Sequence, residues 1–368
     1  MSHFFEGHGG GIERVAGQLC RQFAQLGVEP AWAASNCDEG PDGAIEAVPL
    51  ACANGIERLT GLPMPLPSPS AIGALARSLR RSDAVVVHDA LYATSVLALL
   101  LAKVYRKPVV LIQHIAGIAF SSRVLRLVMS LANVVITRPM LWAADSRVFI
   151  SDTVRHGLLG TPARHSYALL FNGVDSTIFH PKERQSSPQP EGLDIQSDQR
   201  RVLFVGRYVE KKGLSVIRAL AQSRPDLLIF LVGSGPMQPR DWRLANVRDL
   251  GVRCPEALAD LYRWADLLLL PSVGEGYPLV IQEALACGLP VVCGEPANRA
   301  DPAVTDWLCG VRISLADPQG SAQRCADAID SFAPSAAERT AMSQYASRHY
   351  DWETMARSVI ALASDQNR

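Results

Sequence analysis

The chain has 368 residues, enough for about two domains of ordinary size, and its 48% hydrophobic content is sufficient for buried cores. Its 36 basic side chains balance 36 acidic ones, which excludes an overall electrostatic attraction to nucleic acid or to an anionic membrane. The eight cysteines show neither a CxxC pair nor the Cys/His spacing of a zinc site, and the longest uncharged apolar run, over 90–102, is too short to cross a bilayer. We therefore expect a cytoplasmic protein with reduced cysteines.

Short apolar, β-branched runs alternate with longer amphipathic stretches in both halves of the chain, which is typical of βαβ units around parallel sheets. In chain order, the predicted strands are 30–35, 84–88, 109–113, 147–151 and 167–171 in the first half, and 201–206, 227–233, 267–271 and 290–294 in the second. Between the halves, a polar stretch poor in apolar residues is typical of a surface connection. We therefore predict two doubly wound domains, over 1–181 and 201–348, joined by a connection over 182–200.

Ligands of doubly wound sheets bind beyond the carboxyl ends of the strands, so the loops that follow strands are the first candidates for a site. The first glycine-rich segment, "GHGGGIERVAGQLC" over 7–20, leads into a helix and would let the backbone approach a phosphate. It is not a GxGxxG fingerprint, so by itself it indicates little.

A second loop, "FVGRYVEKKG" over 204–213, leaves a predicted strand and carries Arg207 and Lys212. A guanidinium fork and a point charge are suited to gripping a diphosphate. The alternative is a solvated run of charges, which is what most Lys/Arg clusters are.

A third loop, within "SVGEGYPLVIQEALACGLPVV" over 272–292, has Glu275 between two glycines and Pro278 at the predicted start of a helix that contains Glu283. The amino end of that helix could hold a phosphate. Carboxylates only accept hydrogen bonds, so the two glutamates are suited to sugar and ribose hydroxyls on either side of that anion. The alternative is a tight turn followed by a solvated glutamate.

Taken together, these segments resemble the retaining glycosyltransferases of family four, which have the GT-B fold. The resemblance extends over nearly the whole chain and rests on "GGGIE", "ADSRVFISDTVRHGLL", "FNGVDSTIFHP", "VLFVGRYVEKKG", "LVGSGP", "LADLYRWADLLLLPSVGEGYPLVIQEALACGLPVV" and "HYDWETMARSVIALA". It implies an α/β structure with two Rossmann-like domains facing a deep cleft. It also implies a carboxyl-terminal helix, over 349–368, that packs back toward the first domain.

The resemblance implies a role for each matching residue. Glu275 would touch hydroxyls of the transferred sugar and Glu283 the nucleotide ribose, while Arg207 and Lys212 would neutralise the donor pyrophosphate. His114 would lie beside the reacting sugar; a lone histidine is otherwise more often structural. The catalytic candidates are thus His114, Glu275, Arg207 and Lys212.

The remaining candidates complete the donor and acceptor sides. Further donor-binding positions are Gly10, Gly11, Gly233, Gly276, Tyr277, Pro278 and Leu279, and the acceptor-side candidates are His88 and Asp89. Two departures from the family pattern bear on the donor. A "YPL" sequence stands where a phenylalanine-glycine pair is usual, and "GEPANRADPAV" replaces the usual glycine-rich stretch, so the identity of the donor sugar stays open.

The implied reaction is transfer of a hexose-type sugar, with retention, from a UDP- or GDP-linked donor to a hydroxyl of a glycan or lipid-linked acceptor. No cofactor and no metal ion are expected, because the cleft loops contain no Asp-x-Asp pair. A nucleotide-sugar epimerase, a dehydrogenase and a non-catalytic binding module are the alternatives. The two glutamates with Arg207 and Lys212 favour transfer, and a dehydrogenase lacks its fingerprint.

Residues 121–147 interleave Leu, Val, Met and Trp with Arg123, Arg126, Arg138 and Arg147. Such a stretch could rest on an anionic membrane face, or it could pack against the sheet, which is the commoner arrangement. The first interpretation predicts peripheral association with the inner face of the plasma membrane.

A doubly wound domain places a strand of about five residues before its first glycine-rich turn. Here only "MSHFFEGH" precedes Gly9. We therefore expect either a translation start upstream of Met1 or a short central strand formed by residues 2–5.

Overall fold

The computed structural model describes residues 1–55, 64–116, 123–160, 166–181 and 199–365. The chain divides into two compact units, which we call the amino-terminal unit (Met1–Asn172 with Trp352–Arg368) and the carboxyl-terminal unit (Gly173–Asp351). The connection predicted over 182–200 lies outside the described residues except for its last two.

The amino-terminal unit contains a parallel four-stranded sheet of order β5-β6-β7-β8, a parallel pair β1-β2 and a short antiparallel pair β3-β4. Its strands are β1 (Ala31–Ser35), β2 (Glu46–Leu50), β3 (Cys52–Ala53), β4 (Leu66–Pro67), β5 (Val85–His88), β6 (Val109–Gln113), β7 (Ser146–Phe149) and β8 (Ala168–Leu169). All five residues of β6 are buried, as expected for a strand covered on both faces.

The first residues of the chain lie between β1 and β5 and hydrogen-bond to both. Ser2 N donates to Ala33 O (3.2 Å), and the backbone N of residue 35 donates to His3 O (3.1 Å). On the other side, the Met1 amino group donates to Val86 O (2.9 Å) and the backbone N of residue 88 to Met1 O (3.0 Å). Residues 1–5 form no regular strand, and residues 3 and 4 are in a bend, but their backbone hydrogen bonds link β1 to β5.

Seven helices with bounds inside the described part of this unit accompany these strands. They are α1 (Gly11–Gln25), α2 (Pro69–Arg81), α3 (Ala93–Val104), α4 (Arg123–Ala132), α5 (Arg138–Ala143), α6 (Asp152–Leu159) and α13 (Trp352–Ser364). A π-helical turn, Asn133–Thr137, connects α4 to α5. The main core contains buried residues of α2, α3, α5 and α6 together with β5 and β6. In α13, Leu362 O accepts a hydrogen bond from Ser146 Oγ at the start of β7 (3.3 Å), so the last helix packs on this unit.

The carboxyl-terminal unit has a six-stranded parallel sheet of order β11-β10-β9-β12-β13-β14. Its strands are β9 (Arg200–Val205), β10 (Leu227–Val232), β11 (Val247–Gly251), β12 (Leu267–Leu270), β13 (Val291–Gly294) and β14 (Leu308–Val311). Counted within the unit, the order is 3-2-1-4-5-6, that of a doubly wound dinucleotide-binding sheet. The order reverses between β9 and β12, and this position is where ligands of such sheets bind.

The α-helices that the structure describes around this sheet are α7 (Leu214–Ser223), α8 (Pro255–Trp264), α9 (Leu279–Ala286), α10 (Glu295–Asn298), α11 (Pro318–Ser331) and α12 (Ala336–His349). Every residue of β10 and of β12 is buried, so both faces of the sheet are covered. These strands account for the uniformly apolar runs of the sequence.

All nine predicted strands are confirmed to within two residues at each end, and the shortest of them, β8, covers two residues of the predicted 167–171. The strands that the sequence analysis missed, such as β2, β11 and β14, carry polar, proline or glycine residues and lie at sheet edges. An edge strand contacts a single neighbour, so its sequence is less constrained to be apolar. Among the helices of the described residues, none is long and apolar enough to cross a membrane.

Candidate functional site

The two loops of the carboxyl-terminal unit that carry the predicted charged site residues follow β9 and β12. These are the neighbouring strands at which the strand order reverses. Arg207 and Lys212 follow β9, and Glu275 follows β12. The two loops are joined through the backbone, because Val273 N donates to Lys211 O (2.9 Å). The sheet topology therefore brings together residues that the sequence analysis had assigned to one ligand.

An ion pair connects the two loops. Lys212 Nζ lies 2.5 Å from Glu275 Oε1, and the two side chains are 14% and 16% exposed. Ser272 Oγ donates to the other carboxylate oxygen of Glu275 (3.0 Å). Arg207 lies in the same loop as Lys212, and its side chain is exposed. The carboxylate is thus oriented by one neutral and one charged donor while both charged groups stay within reach of solvent.

Glycines let the backbones of these loops approach each other closely. Gly213 has a φ of +77°, and a β-carbon there would lie 2.1 Å from Pro271 O. Gly233, a predicted donor-binding residue, follows β10, and a β-carbon there would lie 1.9 Å from Gly206 O. No side chain can occupy either position without moving the backbone. The structure thus provides a packing reason for both glycines.

The helix that follows Glu275 begins one residue later than predicted. Pro278 has an extended backbone and serves as the N-cap, and α9 starts at Leu279. Glu283, which is half-buried in α9, accepts a hydrogen bond at Oε2 from Tyr262 Oη (2.9 Å). Tyr262 is fully buried in α8, so it holds this carboxylate in place. Sequence reasoning missed Tyr262, because nothing in the sequence indicates that α8 packs beside α9.

Tyr277 and Gly276, two other predicted donor-binding residues, are buried. The hydroxyl of Tyr277 hydrogen-bonds to that of Tyr350 (2.9 Å), which in turn donates to Asp301 Oδ2 (2.7 Å). The Tyr277 side chain therefore belongs to the core of the unit.

In the amino-terminal unit, the glycine turn meets an acidic side chain. Gly10 is the N-cap of α1 and Gly11 its first residue. A β-carbon on Gly10 would lie 1.9 Å from Glu13 Oε2, so the carboxylate of Glu13 folds back over the turn. His3 Nε2 lies 2.7 Å from Glu13 Oε1, and both side chains are 3% exposed. Burial would raise the pKa of Glu13, but the hydrogen bond and charge of His3 outweigh it and lower that pKa.

This arrangement changes what the amino end of α1 can bind. A carboxylate in the first turn already interacts with the helix dipole and with nearby N–H groups. A phosphate approaching Gly10 and Gly11 would have to compete with it. Neither Glu13 nor His3 was a sequence candidate, although an acid three residues after an N-cap is a recognisable helix-start signal.

The other candidates of the amino-terminal unit form a buried polar cluster. His88 Nδ1 lies 3.0 Å from His114 Nε2, so one imidazole donates to the other. Asp89 Oδ1 accepts from the backbone N of His114 (2.9 Å) and of Ile115 (3.4 Å), and it orders the start of the loop after β6. Tyr92, a further residue that sequence reasoning missed, stacks on His3 with ring centroids 3.8 Å apart.

Burial sets the protonation of this cluster. It lowers the pKa of His114 to about 3, and it lowers the pKa of His88 well below its usual value, helped by the neighbouring His114. It raises the pKa of Asp89 to about 7. The two histidines are therefore neutral at physiological pH, able to exchange hydrogen bonds with hydroxyl groups but carrying no charge to stabilise an anion.

The chain matches family models along most of its length. Residues 9–178 match the model described as Glycosyltransferase Family 4, and residues 186–349 match the one described as Glycosyl transferases group 1. A D-inositol 3-phosphate glycosyltransferase of Corynebacterium urealyticum is 31% identical over 217 residues, which are 53% of this chain and 50% of that protein. One from Mycobacterium tuberculosis is 32% identical over 206 residues, 51% of this chain and 42% of that protein. These matches span half or less of the relatives' length.

Solved structures similar to the whole chain include sucrose-phosphate synthase from Thermosynechococcus elongatus, with a TM-score of 0.72, 17% identity, and coverage of 97% of this chain and 93% of that one. Anabaena HepE in complex with UDP has a TM-score of 0.70 at 18% identity, with 99% of both chains covered. WaaG, a glycosyltransferase involved in lipopolysaccharide biosynthesis, has a TM-score of 0.61 at 19% identity, with 97% and 96% covered. These likenesses confirm the predicted GT-B fold. The two family models, which together match most of the chain, show that it belongs to the glycosyltransferases of family four and group 1.

Proposed function

We propose that this protein is a retaining glycosyltransferase that moves a hexose-type sugar from a nucleoside-diphosphate sugar to a hydroxyl acceptor. The observation that carries the proposal is the meeting of Lys212 and Glu275 at the point where the order of the carboxyl-terminal sheet reverses, with Glu283 on the helix that follows. A cation for the diphosphate and two carboxylates for hydroxyls are the groups that such a donor requires.

Positive groups near the diphosphate supply the chemistry. When the glycosidic bond to the donor breaks, negative charge develops on the departing nucleoside diphosphate. Lys212, Arg207 and the amino end of α9 would stabilise that charge, the last through its free N–H groups and dipole. The diphosphate would compete with Glu275 for Lys212, which frees the carboxylate to accept hydroxyls of the sugar. The reaction needs no metal ion in this proposal.

The two carboxylates are held by different donors and are proposed to bind different sugars. Ser272 orients Glu275, which would accept hydroxyls of the transferred hexose. Tyr262 orients Glu283, which would accept the ribose hydroxyls. Carboxylates that are fixed in this way raise the rate by keeping the reacting carbon of the donor in one position, and they do not react themselves.

In the amino-terminal unit, we propose that His114 acts as a neutral imidazole and hydrogen-bonds a hydroxyl of the substrate. His88 fixes the tautomer of His114 through their shared hydrogen bond, and Asp89 holds the backbone that presents it. Asp89 and His88 are thus proposed to position His114. Gly10 and Gly11 would let the substrate approach the backbone at the start of α1.

The substrates are proposed from the relatives. HepE has been solved with UDP and with UDP-glucose, so a UDP-sugar is the first donor to test and a GDP-sugar the second. Two of the proteins named above indicate an acceptor class: one is a D-inositol 3-phosphate glycosyltransferase, and WaaG is involved in lipopolysaccharide biosynthesis. We propose a glycan or lipid-linked acceptor in the synthesis of a cell-surface polysaccharide, lipopolysaccharide or glycolipid.

A stripe of exposed apolar side chains supports membrane contact. Along α4, the π-helical turn and α5, six apolar residues are between 51% and 71% exposed: Leu127, Val128, Leu131, Val134, Val135 and Trp142. The first five recur at the spacing of one helix face. Packing against the core accounts for Met140 and Leu141, which are buried, but not for this stripe.

The arginines of this stretch have different surroundings. Arg138 Nε donates to Leu158 O (3.0 Å) and Arg147 Nε to Leu141 O (2.5 Å), so these two cations are tied to backbone carbonyls. The side chains of Arg123 and Arg126 lie outside the described residues. We propose that the stripe rests on the inner face of the plasma membrane with its apolar side chains among the lipids.

The test is a donor screen followed by a stereochemical assay. The purified protein is mixed with UDP- and GDP-sugars, thermal shifts identify the donor, and release of the nucleoside diphosphate is followed with candidate acceptors. Proton NMR of the product then reports the anomeric configuration. We expect one sugar nucleotide to raise the melting temperature and the product to keep the donor's configuration.

Each other outcome contradicts part of the proposal. A product with inverted anomeric configuration would contradict the proposed retaining mechanism. Interconversion of two sugar nucleotides without an acceptor would identify an epimerase, and tight binding without turnover a binding module. A shift with NADH but with no sugar nucleotide would contradict the whole assignment.

A further inference from the structure

Three potential metal ligands of the amino-terminal unit lie together outside the residues discussed so far. They are His8, in the turn before α1, and Cys37 and Asp38, which follow β1. One ligand atom from each lies within 4.8 Å of the other two. His8 Nδ1 is 3.2 Å from Asp38 Oδ2, and Cys37 Sγ donates to the same oxygen, also at 3.2 Å. Imidazole, thiol and carboxylate thus converge on one point.

The turn that carries His8 is held from several sides. Residues 6–8 form a single 3-10 turn that ends at Gly9, whose φ is +80° and whose N donates to Glu6 O (3.0 Å). Arg21, from α1, makes two hydrogen bonds to the carboxylate of Glu6 (2.8 and 3.0 Å). The imidazole of His8 stacks on Phe4, with ring centroids 3.7 Å apart, and Phe4 is fully buried.

The strand end that carries Cys37 and Asp38 is held as well. Asn36 N donates to Leu50 O (2.9 Å), which continues the β1-β2 pairing past the end of β1. The Cys37 side chain is exposed, and those of His8 and Asp38 are 26% and 19% exposed. Two fixed backbone segments therefore present three ligands at a position that a hydrated ion can reach.

We propose that His8, Cys37 and Asp38 bind a divalent transition-metal ion of the Zn²⁺ class. A borderline-soft ion accepts sulfur, imidazole nitrogen and carboxylate oxygen together, whereas Mg²⁺ and Ca²⁺ select oxygen. His8 would bind through Nδ1 and Asp38 through Oδ2. Cys37 would form a metal–sulfur bond as its thiol proton passes to solvent. Three protein ligands leave the fourth tetrahedral position to water.

This site is separate from the proposed transfer reaction and does not depend on it. The ion would tie the turn that precedes Gly10 and Gly11 to the end of β1, so it would stabilise the glycine turn. The sequence contains no metal-ligand motif here because the three residues come from two segments that the fold brings together. The competing explanation is a plain ion pair between His8 and Asp38 at the surface.

Metal binding to the full chain under reducing conditions tests the proposal. Zn²⁺ affinity and stoichiometry are measured by competition with a chromogenic chelator, and Co²⁺ is added as a spectroscopic probe, because a cobalt–thiolate bond gives a near-ultraviolet charge-transfer band. The variants are Cys37→Ser, His8→Ala and Asp38→Asn. The matched control is Cys254→Ser, which replaces an exposed cysteine of the carboxyl-terminal unit.

We expect one equivalent of Zn²⁺ and a Co²⁺–thiolate band in the parent and in Cys254→Ser. Cys37→Ser should lose the band, and its Zn²⁺ affinity should fall by more than the roughly 10–100-fold that follows changes to outer-shell groups. His8→Ala should also lose the stoichiometric site. Circular dichroism checks that each variant is folded.

Either of two results would overturn the proposal. The first is a parental protein that takes up no stoichiometric Zn²⁺, which would leave only the His8–Asp38 ion pair. The second is a charge-transfer band that survives in Cys37→Ser or disappears in Cys254→Ser, since the bound ion would then lie elsewhere.

Discussion

The candidate residues of the two units lie in contrasting surroundings, although both sets follow parallel strands. In the carboxyl-terminal unit, Lys212 and Glu275 are charged, paired with each other and 14–16% exposed. In the amino-terminal unit, His88, Asp89 and His114 are at most 3% exposed. Burial lowers the pKa of both histidines and raises the pKa of Asp89, so it favours the neutral form of each side chain. The first set can exchange its partners with an anion, whereas the second offers neutral hydrogen bonds.

The difference has a physical cause. A charge near the surface keeps part of its hydration, so replacing a carboxylate partner by a diphosphate costs little. A charge placed among His88, Asp89 and His114 would lose its hydration without gaining an opposite charge. We therefore expect Lys212 to act on the leaving group and Glu275, once the diphosphate has displaced it, to accept hydroxyls of the sugar. The amino-terminal residues offer hydroxyls only neutral hydrogen bonds. The following predictions test that division.

The largest effect is expected from the ion pair. Lys212→Ala should lower turnover about 10²–10³-fold, the loss that follows removal of one charge-stabilising group from an active site. Glu275→Ala should lower turnover about 10²-fold or more, because the transferred sugar loses an acceptor that positions it. Their melting temperatures should change little, because a partly exposed ion pair contributes about 1 kcal/mol or less. Transfer kinetics and thermal unfolding are measured on the same preparations.

The neighbouring lysine provides the control for that prediction. The pKa of Lys211 is lowered by burial, and the charge of Glu275 acts on it in the opposite direction. Lys211→Ala removes the same functional group but leaves the Lys212–Glu275 ion pair in place, so turnover should fall much less than in Lys212→Ala. Near-parental turnover in Lys212→Ala or Glu275→Ala would remove the role assigned to that residue. Equal losses of turnover in Lys211→Ala and Lys212→Ala would mean that the diphosphate is bound by a diffuse positive patch and not by Lys212 specifically.

The second effect is a pH dependence of stability that originates at Asp89. Burial raises the pKa of this carboxyl from 3.8 to about 7, although two backbone N–H donors lower it in part. Between these values the folded chain holds more protons than the unfolded one, so the free energy of unfolding falls as pH rises through this window. One pKa unit corresponds to about 1.4 kcal/mol, so Asp89 contributes a few kcal/mol of this loss.

Asp89→Asn isolates that contribution. The amide keeps an acceptor oxygen for the backbone N of His114 but does not ionise, so its stability should decline less than that of the parent between pH 4 and 7. Urea unfolding at several pH values makes the measurement. The buried histidines contribute an opposite slope, which is common to both proteins. Parallel pH profiles would mean that Asp89 titrates like an exposed carboxyl.

The third effect concerns nucleotide binding. Glu283→Ala should weaken binding of UDP about tenfold or more, because it removes a charged acceptor for ribose hydroxyls. Tyr262→Phe, which removes only the hydroxyl that orients Glu283, should weaken binding about threefold. Titration calorimetry with UDP distinguishes the two. An unchanged Kd for UDP in Glu283→Ala would mean that this carboxylate does not bind the ribose and has only a structural role in α9.

The smallest effect is expected at the apolar stripe. Leu131→Glu should weaken binding to anionic vesicles about fivefold, since one charge near such a surface is worth about 1 kcal/mol. Vesicle sedimentation makes the measurement, and transfer to a water-soluble acceptor should not change. Val104→Glu is the control, because Val104 is an exposed apolar residue at the end of α3, outside the stripe. Absence of salt-sensitive vesicle binding in the parent would contradict the membrane proposal.

The sequence by itself determined most of the strands, because the apolar run that marks a buried strand can be recognised without knowing its neighbours in the fold. The apolar runs that became β9, β10 and β12 are uniformly buried, and a strand covered on both faces has to be apolar along its whole length. The loops with Arg207, Lys212 and Glu275 were found for the same reason, since each directly follows such a run. Edge strands such as β14 were missed because half of their environment is solvent.

Tertiary structure alone decided which side chains meet. The ion pair of Lys212 with Glu275 depends on β9 and β12 being neighbours, an order that no local pattern specifies. The burial of His114, which sets its protonation, depends on elements distant in sequence. So does the pairing of His3 with Glu13, which places a carboxylate where the glycine turn alone had indicated a phosphate. Composition and periodicity report the environment of each residue, but the partners of a charged group, and therefore its chemistry, follow from how the strands are arranged.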